Sequence, residues 1–132
     1  MFDRLLLNNL MSEIEKAVIV LIEDDAENAR KIRDILHQGG HAIIEELCWV
    51  ATAMNAVDTF EELGVNVVLL DRDIFGGNIV DAGFISRTRE FAPGVRIIGT
   101  AADPIEEVDV DLTKKGIEKL NEVITILLDK KG

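Results

Sequence analysis

Two apolar runs, Ala17-Val18-Ile19-Val20-Leu21-Ile22 and Val67-Val68-Leu69-Leu70, both stop on acid, the first at Glu23-Asp24-Asp25 and the second at Asp71. Unbroken runs of this kind fit strands buried on both faces, so each would deliver its carboxylates to one edge of a sheet. Between them the period changes. Ala29, Ile32, Ile35 and Leu36 share one face of a predicted helix over Ala26 to Gln38, which Gly39-Gly40 should stop. His41 to Cys48 reads as a second strand, Thr52 to Leu63 as a second helix ended by Gly64, and residues 65–71 as the third strand. Phe75-Gly76-Gly77-Asn78 then reads as a Gly-rich loop forming a flexible lid, followed by a third helix over roughly 79–91, closed by Pro93-Gly94. Val95 to Gly99 is the fourth strand.

From Ala101 to Asp111 only eleven residues must hold a loop, an acidic patch and the approach to a fifth strand near Val108–Leu112. A helix of ordinary length, about 10–14 residues, does not fit there. Lys115 to Leu128 closes the chain as an amphipathic helix with Ile117, Leu120, Ile124, Leu127 and Leu128 inward. With right-handed crossovers this order predicts an α/β fold, a doubly wound five-stranded parallel sheet in the flavodoxin-like order 2-1-3-4-5, with helix four reduced. Residues 1–15 are expected to be an amphipathic N-terminal extension and 16–132 the domain itself. The stripe Leu7, Leu10, Met11 and Ile14 would pack on the domain or on its twin in a homodimer, although a disordered leader fits as well.

A chain of 132 residues is expected to be one domain. Its 14 basic residues against 25 acidic ones give a net charge of −11, which opposes binding to nucleic acid or an anionic membrane. The single cysteine, Cys48, can form no internal disulfide, and the amino end is too briefly apolar for a signal or membrane segment. A soluble, cytoplasmic protein is the expectation, with proteins and small cations as partners.

Carboxylates gathered at a sheet edge repel one another unless a hard cation such as Mg²⁺ sits among them. This points to a metal-assisted phosphate site with an Asp as candidate nucleophile. The stretch Val18 to Asp25, then Val67-Val68-Leu69-Leu70-Asp71, then Ile97-Ile98-Gly99-Thr100-Ala101, resembles the CheY-like receiver domain of two-component response regulators over about residues 16–130. The resemblance implies that Asp71 is the phosphoacceptor. It also implies that Mg²⁺ is bound by Glu23, Asp24, Asp71 and the backbone carbonyl of Asp73, and that Thr100 and Lys114 (or Lys115) contact the phosphoryl group. A phosphoprotein in a phosphorelay follows, receiving its phosphoryl group from a histidine kinase or phosphotransfer protein and passing the signal to a downstream protein target. Enzymatic activity would go no further than self-catalysed phosphorylation and dephosphorylation of Asp71.

The chain also departs from that family. Ile74-Phe75 stands where Met-Pro is common, Lys115 or Gly116 where a Pro often in cis follows the Lys, and Val108-Asp109-Val110-Asp111-Leu112 lacks the aromatic switch residue. A non-proline cis bond costs about 3–4 kcal/mol, so the loop after Lys114 should be trans. Two other readings therefore stand beside the first. A pseudo-receiver would act as a phosphorylation-independent interaction module. A small metal-dependent phosphatase is disfavoured by the absence of an evident general acid.

Simpler roles compete residue by residue. Glu23, Asp24 and Asp25 could merely cap the first helix. His37 and His41 flank Gly39-Gly40 as turn residues, Arg87 and Arg89 read as a solvated face, and Cys48 and Trp49 as packing.

Overall fold

The computed structural model describes residues 16–129; the extension at 1–15 and its stripe lie outside the described residues. Five parallel strands form the central sheet: β1 (Val18–Ile22), β2 (Ala42–Leu47), β3 (Val67–Leu70), β6 (Arg96–Gly99) and β7 (Val110–Asp111), in the order β2-β1-β3-β6-β7. Counting only the strands of this sheet, that is the expected 2-1-3-4-5. Between β3 and β6, β4 (Asp73–Ile74) and β5 (Gly77–Asn78) form a separate antiparallel hairpin. The helices are α1 (Ala26–Gln38), α2 (Val50–Ala56), α3 (Phe60–Leu63), α4 (Phe84–Phe91) and α5 (Leu120–Asp129).

Strand side chains alternate between faces, and the apolar runs use both. Ile19, Leu21, Val67, Leu69 and Ile98 pack with Ile32 and Leu36 of α1 and Leu120, Ile124 and Leu128 of α5. Val20, Ile22, Val68, Leu70 and Ile97 pack on the other side with Ala53, Phe60, Phe84 and Ile85. Burying one such large side chain stabilises by about 1.5–3 kcal/mol, so two filled faces account for runs without polar interruption.

Several elements differ from expectation. The second helix starts at Val50 and breaks at a 3-10 turn over Val57–Thr59, where Thr59 Oγ1 turns back to the Ala56 carbonyl at 2.8 Å. The third helix begins at Phe84, not 79, because Gly83 holds φ +93 and the preceding residues form turns. β7 has two residues where Val108–Leu112 was expected, and the last helix opens with a 3-10 segment, Lys114–Lys119. No helix lies between β6 and β7, so helix four is missing, as the chain length there required.

The Phe75–Asn78 segment is not a flexible lid. It is the turn and second strand of the hairpin, with Gly76 and Gly77 at φ +98 and +127. The Phe75 N–H donates to the Cys48 carbonyl at 3.0 Å, the Val50 N–H donates to the Phe75 carbonyl at 2.9 Å, and the Trp49 and Phe75 rings are in tilted contact. Trp49 thus packs as an exposed ring on the hairpin. Arg87 and Arg89 are likewise not a free solvated face. Arg87 pairs with Asp58 at 2.7 Å and lies over the Phe91 ring, and Arg89 pairs with Asp109 at 3.0 Å. His41 is buried, and its Nδ1 accepts the Ala17 N–H at 2.9 Å, a fastening of β1 beyond its place beside the turn.

Candidate functional site

Register assembles the site. Ile22 pairs with Leu70 and Leu70 with Gly99, so the residues that follow, Glu23, Asp71 and Thr100, emerge side by side at one sheet edge. The ladder continues through them: Asp71 N–H donates to the Ile22 carbonyl and Thr100 N–H to the Leu70 carbonyl, both at 3.0 Å. All three are buried.

Glu23, Asp24 and Asp71 each bring a carboxylate oxygen within 4.8 Å of the others. The acidic triplet after β1 divides its labour. Asp25 is the cap of α1, its Oδ1 accepting the Asn28 N–H at 2.9 Å, while Glu23 and Asp24 turn to the site. Glu23 is steadied by Asn28, whose Nδ2 donates to its Oε1, and by the Asp25 N–H. Burial, with the Asp71 carboxyl beside it, pushes the Glu23 carboxyl up to about 7. Such a group is about half protonated at neutrality, and a bound cation would displace the remaining proton. The donor set therefore fits a hard divalent ion, which prefers carboxylate oxygens.

A cavity of about 170 Å³ opens over the cluster. Asp24, Asp25, Asp71, Asp73 and Asp103 line it, with Arg72 and Lys114 as its cations. Thr100 Oγ1 is buried and makes no hydrogen bond to the described residues, an arrangement that costs about 1–3 kcal/mol and leaves a hydroxyl able to donate. Of the two candidate lysines, Lys114 lines the cavity and Lys115 does not. Thr113, at φ +58 and ψ 177, turns the chain so that the Lys114 N–H reaches the Ala101 carbonyl at 3.0 Å. Backbone held there costs about 1–3 kcal/mol. The peptide bonds of the described residues are all trans. Asp73 lies on β4 at the cavity's margin, so a paired hairpin stands where an open loop was expected. A larger depression, about 290 Å³, lies between Gly64–Asn66 and Ala92–Val95, and among the described residues Glu61 is its one ionisable group. It has no such chemistry.

Sequence reasoning missed Arg72, whose guanidinium Nη2 donates to the Pro104 carbonyl at 2.6 Å, and Asn28, the partner of Glu23. Arg72 had a signal, since it is the residue after Asp71. Asn28 had only helix spacing from the acidic triplet.

No family model and no curated protein matches the sequence. Solved structures do. The non-phosphorylated receiver domain of the stress response regulator RcsB from Escherichia coli aligns at a TM-score of 0.73 with 16% identity, covering 89% of this chain and 96% of that one. The REC domain of the PhyR response regulator from Erythrobacter litoralis aligns at 0.70 with 20% identity, covering 89% and 94%. A Salmonella typhimurium RcsB response regulator, described for its DNA interaction, aligns at 0.70 with 16% identity, and 88% of this chain spans 61% of it. At these identities the likeness is one of fold, and the fold on which this chain is built is that of the response regulator receiver domain.

Proposed function

We propose that this chain is a signalling receiver that accepts a phosphoryl group on Asp71 from a histidine kinase or phosphotransfer protein. The observation that carries this reading is the convergence of Glu23, Asp24 and Asp71 beneath a cavity edged by Lys114, with the buried Thr100 hydroxyl on the strand next to Asp71.

Mg²⁺ would be held by Glu23, Asp24 and Asp71, joined by the Asp73 carbonyl. When bound, it neutralises charge on the phosphoryl oxygens. An Asp71 carboxylate oxygen attacks phosphorus, the phosphorus–nitrogen bond of the phosphohistidine donor breaks, and its electron pair leaves with the imidazole. Lys114 offers a mobile point charge to the transferred group. Thr100 donates its hydroxyl to a phosphoryl oxygen, gaining the partner it lacks.

The partners are proteins, because the −11 charge opposes contact with a nucleic-acid backbone. Incubation with Mg²⁺ and a small phosphodonor tests the reading. Acid-stable, hydroxylamine-labile phosphate should appear on the wild type and not on Asp71→Asn.

The missing helix and the paired hairpin favour one second reading, a phosphorylation-independent interaction module. A wild type that takes up no phosphate while still binding partner protein would establish that instead.

A further inference from the structure

Where a helix would lie between β6 and β7, Ala101–Ile105 forms a tethered arch. At one foot the Lys114 N–H donates to the Ala101 carbonyl at 3.0 Å. At the other, the Ile105 N–H donates to Asp111 Oδ2 at 2.9 Å, and the Ile105 side chain is buried in the core. Between them Ala102, Asp103 and Pro104 are exposed. Among the described residues, the hydrogen bond from Arg72 to the Pro104 carbonyl is the one that holds Ala102–Pro104 down.

We propose that Arg72 is a second phosphate-binding cation, which exchanges the Pro104 carbonyl for a phosphoryl oxygen on Asp71 and so releases Ala102–Pro104. The inference rests on Asp71 as the phosphoacceptor. Its first ground is placement, since Arg72 follows Asp71 directly and lines the same cavity. Its second is charge. Five aspartates line that cavity against two cations, and a phosphoryl group adds negative charge where positive charge is already short. The third is the quality of the competing partners. A carbonyl is a neutral dipole taking one guanidinium N–H, whereas a phosphoryl group can take two in parallel with full charge assistance. Lys114 supplies only a point charge. Phosphorylation would thus be read out where the chain has an arch instead of a helix.

Beryllofluoride with Mg²⁺, an analogue of the phosphoryl group, provides the test in the full chain. Wild type should bind it and show faster amide exchange at Ile105, whose N–H shares a peptide unit with the Pro104 carbonyl and is held by Asp111. Arg72→Ala should exchange quickly there before ligand is added and bind beryllofluoride about tenfold more weakly. Arg72→Lys, which keeps the charge and loses the fork, should fall between. Thermal melting of both variants checks that they fold, and the two substitutions give independent readings. Equal affinity in wild type and either folded variant overturns the proposal, as does binding with unchanged exchange at Ile105. A wild type that binds no beryllofluoride overturns the phosphoacceptor reading itself, and the Arg72 role falls with it.

Discussion

Glu23 and Asp71 face each other across β1 and β3, two buried carboxyls fixed at that spacing because Ile22 and Leu70 are register partners. Their juxtaposition has a pH signature. The unfolded Glu23 carboxyl titrates near 4.5 and the folded one at about 7, so the native state binds more protons across that window. Stability without metal should therefore fall as pH rises from about 4.5 to about 7 and level off above it. Glu23→Gln should flatten the fall, measured by thermal melting in chelator. Millimolar Mg²⁺ should raise the wild-type melting temperature at pH 7.5, by about 2.7 kcal/mol of stability at a hundredfold excess over Kd. Asp24→Asn should lose most of that response, and equal shifts in the two proteins would sink the metal site.

Asp71→Asn preserves size and removes one of the clustered charges. Phosphorylation should be abolished, while the metal-free protein should melt higher, each kcal/mol of relief raising the melting temperature by about 4 °C. Intact protein mass after phosphodonor treatment, with a melting curve, checks both. Phosphate remaining on the variant would move the acceptor elsewhere, with Asp73 the next suspect.

The hairpin should behave as structure rather than as a lid. Phe75 and Val50 amides, bonded at 3.0 and 2.9 Å, should exchange slowly with solvent deuterium. Phe75→Ala removes a ring whose centroid lies 5.3 Å from that of Trp49. It should cost about 0.5–1.5 kcal/mol and shift Trp49 emission to the red. Rapid exchange at both amides in the wild type would contradict the paired hairpin.

His41 makes the opposite pH demand from Glu23. Burial, with Lys16 nearby, lowers its pKa from the ordinary 6.5, and its Nδ1 must stay unprotonated to accept the Ala17 N–H. The unfolded state then binds the extra proton, so this contribution is present above about 6.5 and is lost as pH falls toward the folded value. Melting of wild type and His41→Asn compared between pH 5 and 7.5 should show the wild type losing its advantage on the acid side. Parallel curves would remove His41 from the account.

How much could be read before folding depends on how local each cause is. The runs at 17–22 and 67–70 and the acids that end them are legible because a strand buried on both faces admits no polar side chain until it leaves the sheet. The shortage of residues between Thr100 and β7 likewise follows from helix length alone. Strand order needed only chain connectivity and crossover handedness. The hairpin was not legible: β4 and β5 are two residues each, and their place depends on Cys48, Trp49 and Val50 from a distant part of the sequence. The same holds for Arg72 with Pro104, 32 residues apart, and Arg89 with Asp109, 20 apart. The choice of Lys114 over Lys115 as the cavity residue depends on the turn at Thr113, a backbone conformation that local preference opposes and the Ala101 contact accompanies. Sequence thus determined which residues are apolar, where strands release acid, and what lengths permit. Tertiary structure decided which long-range partners satisfy the remaining polar groups, since a hydrogen bond between distant segments leaves no periodic trace in either one.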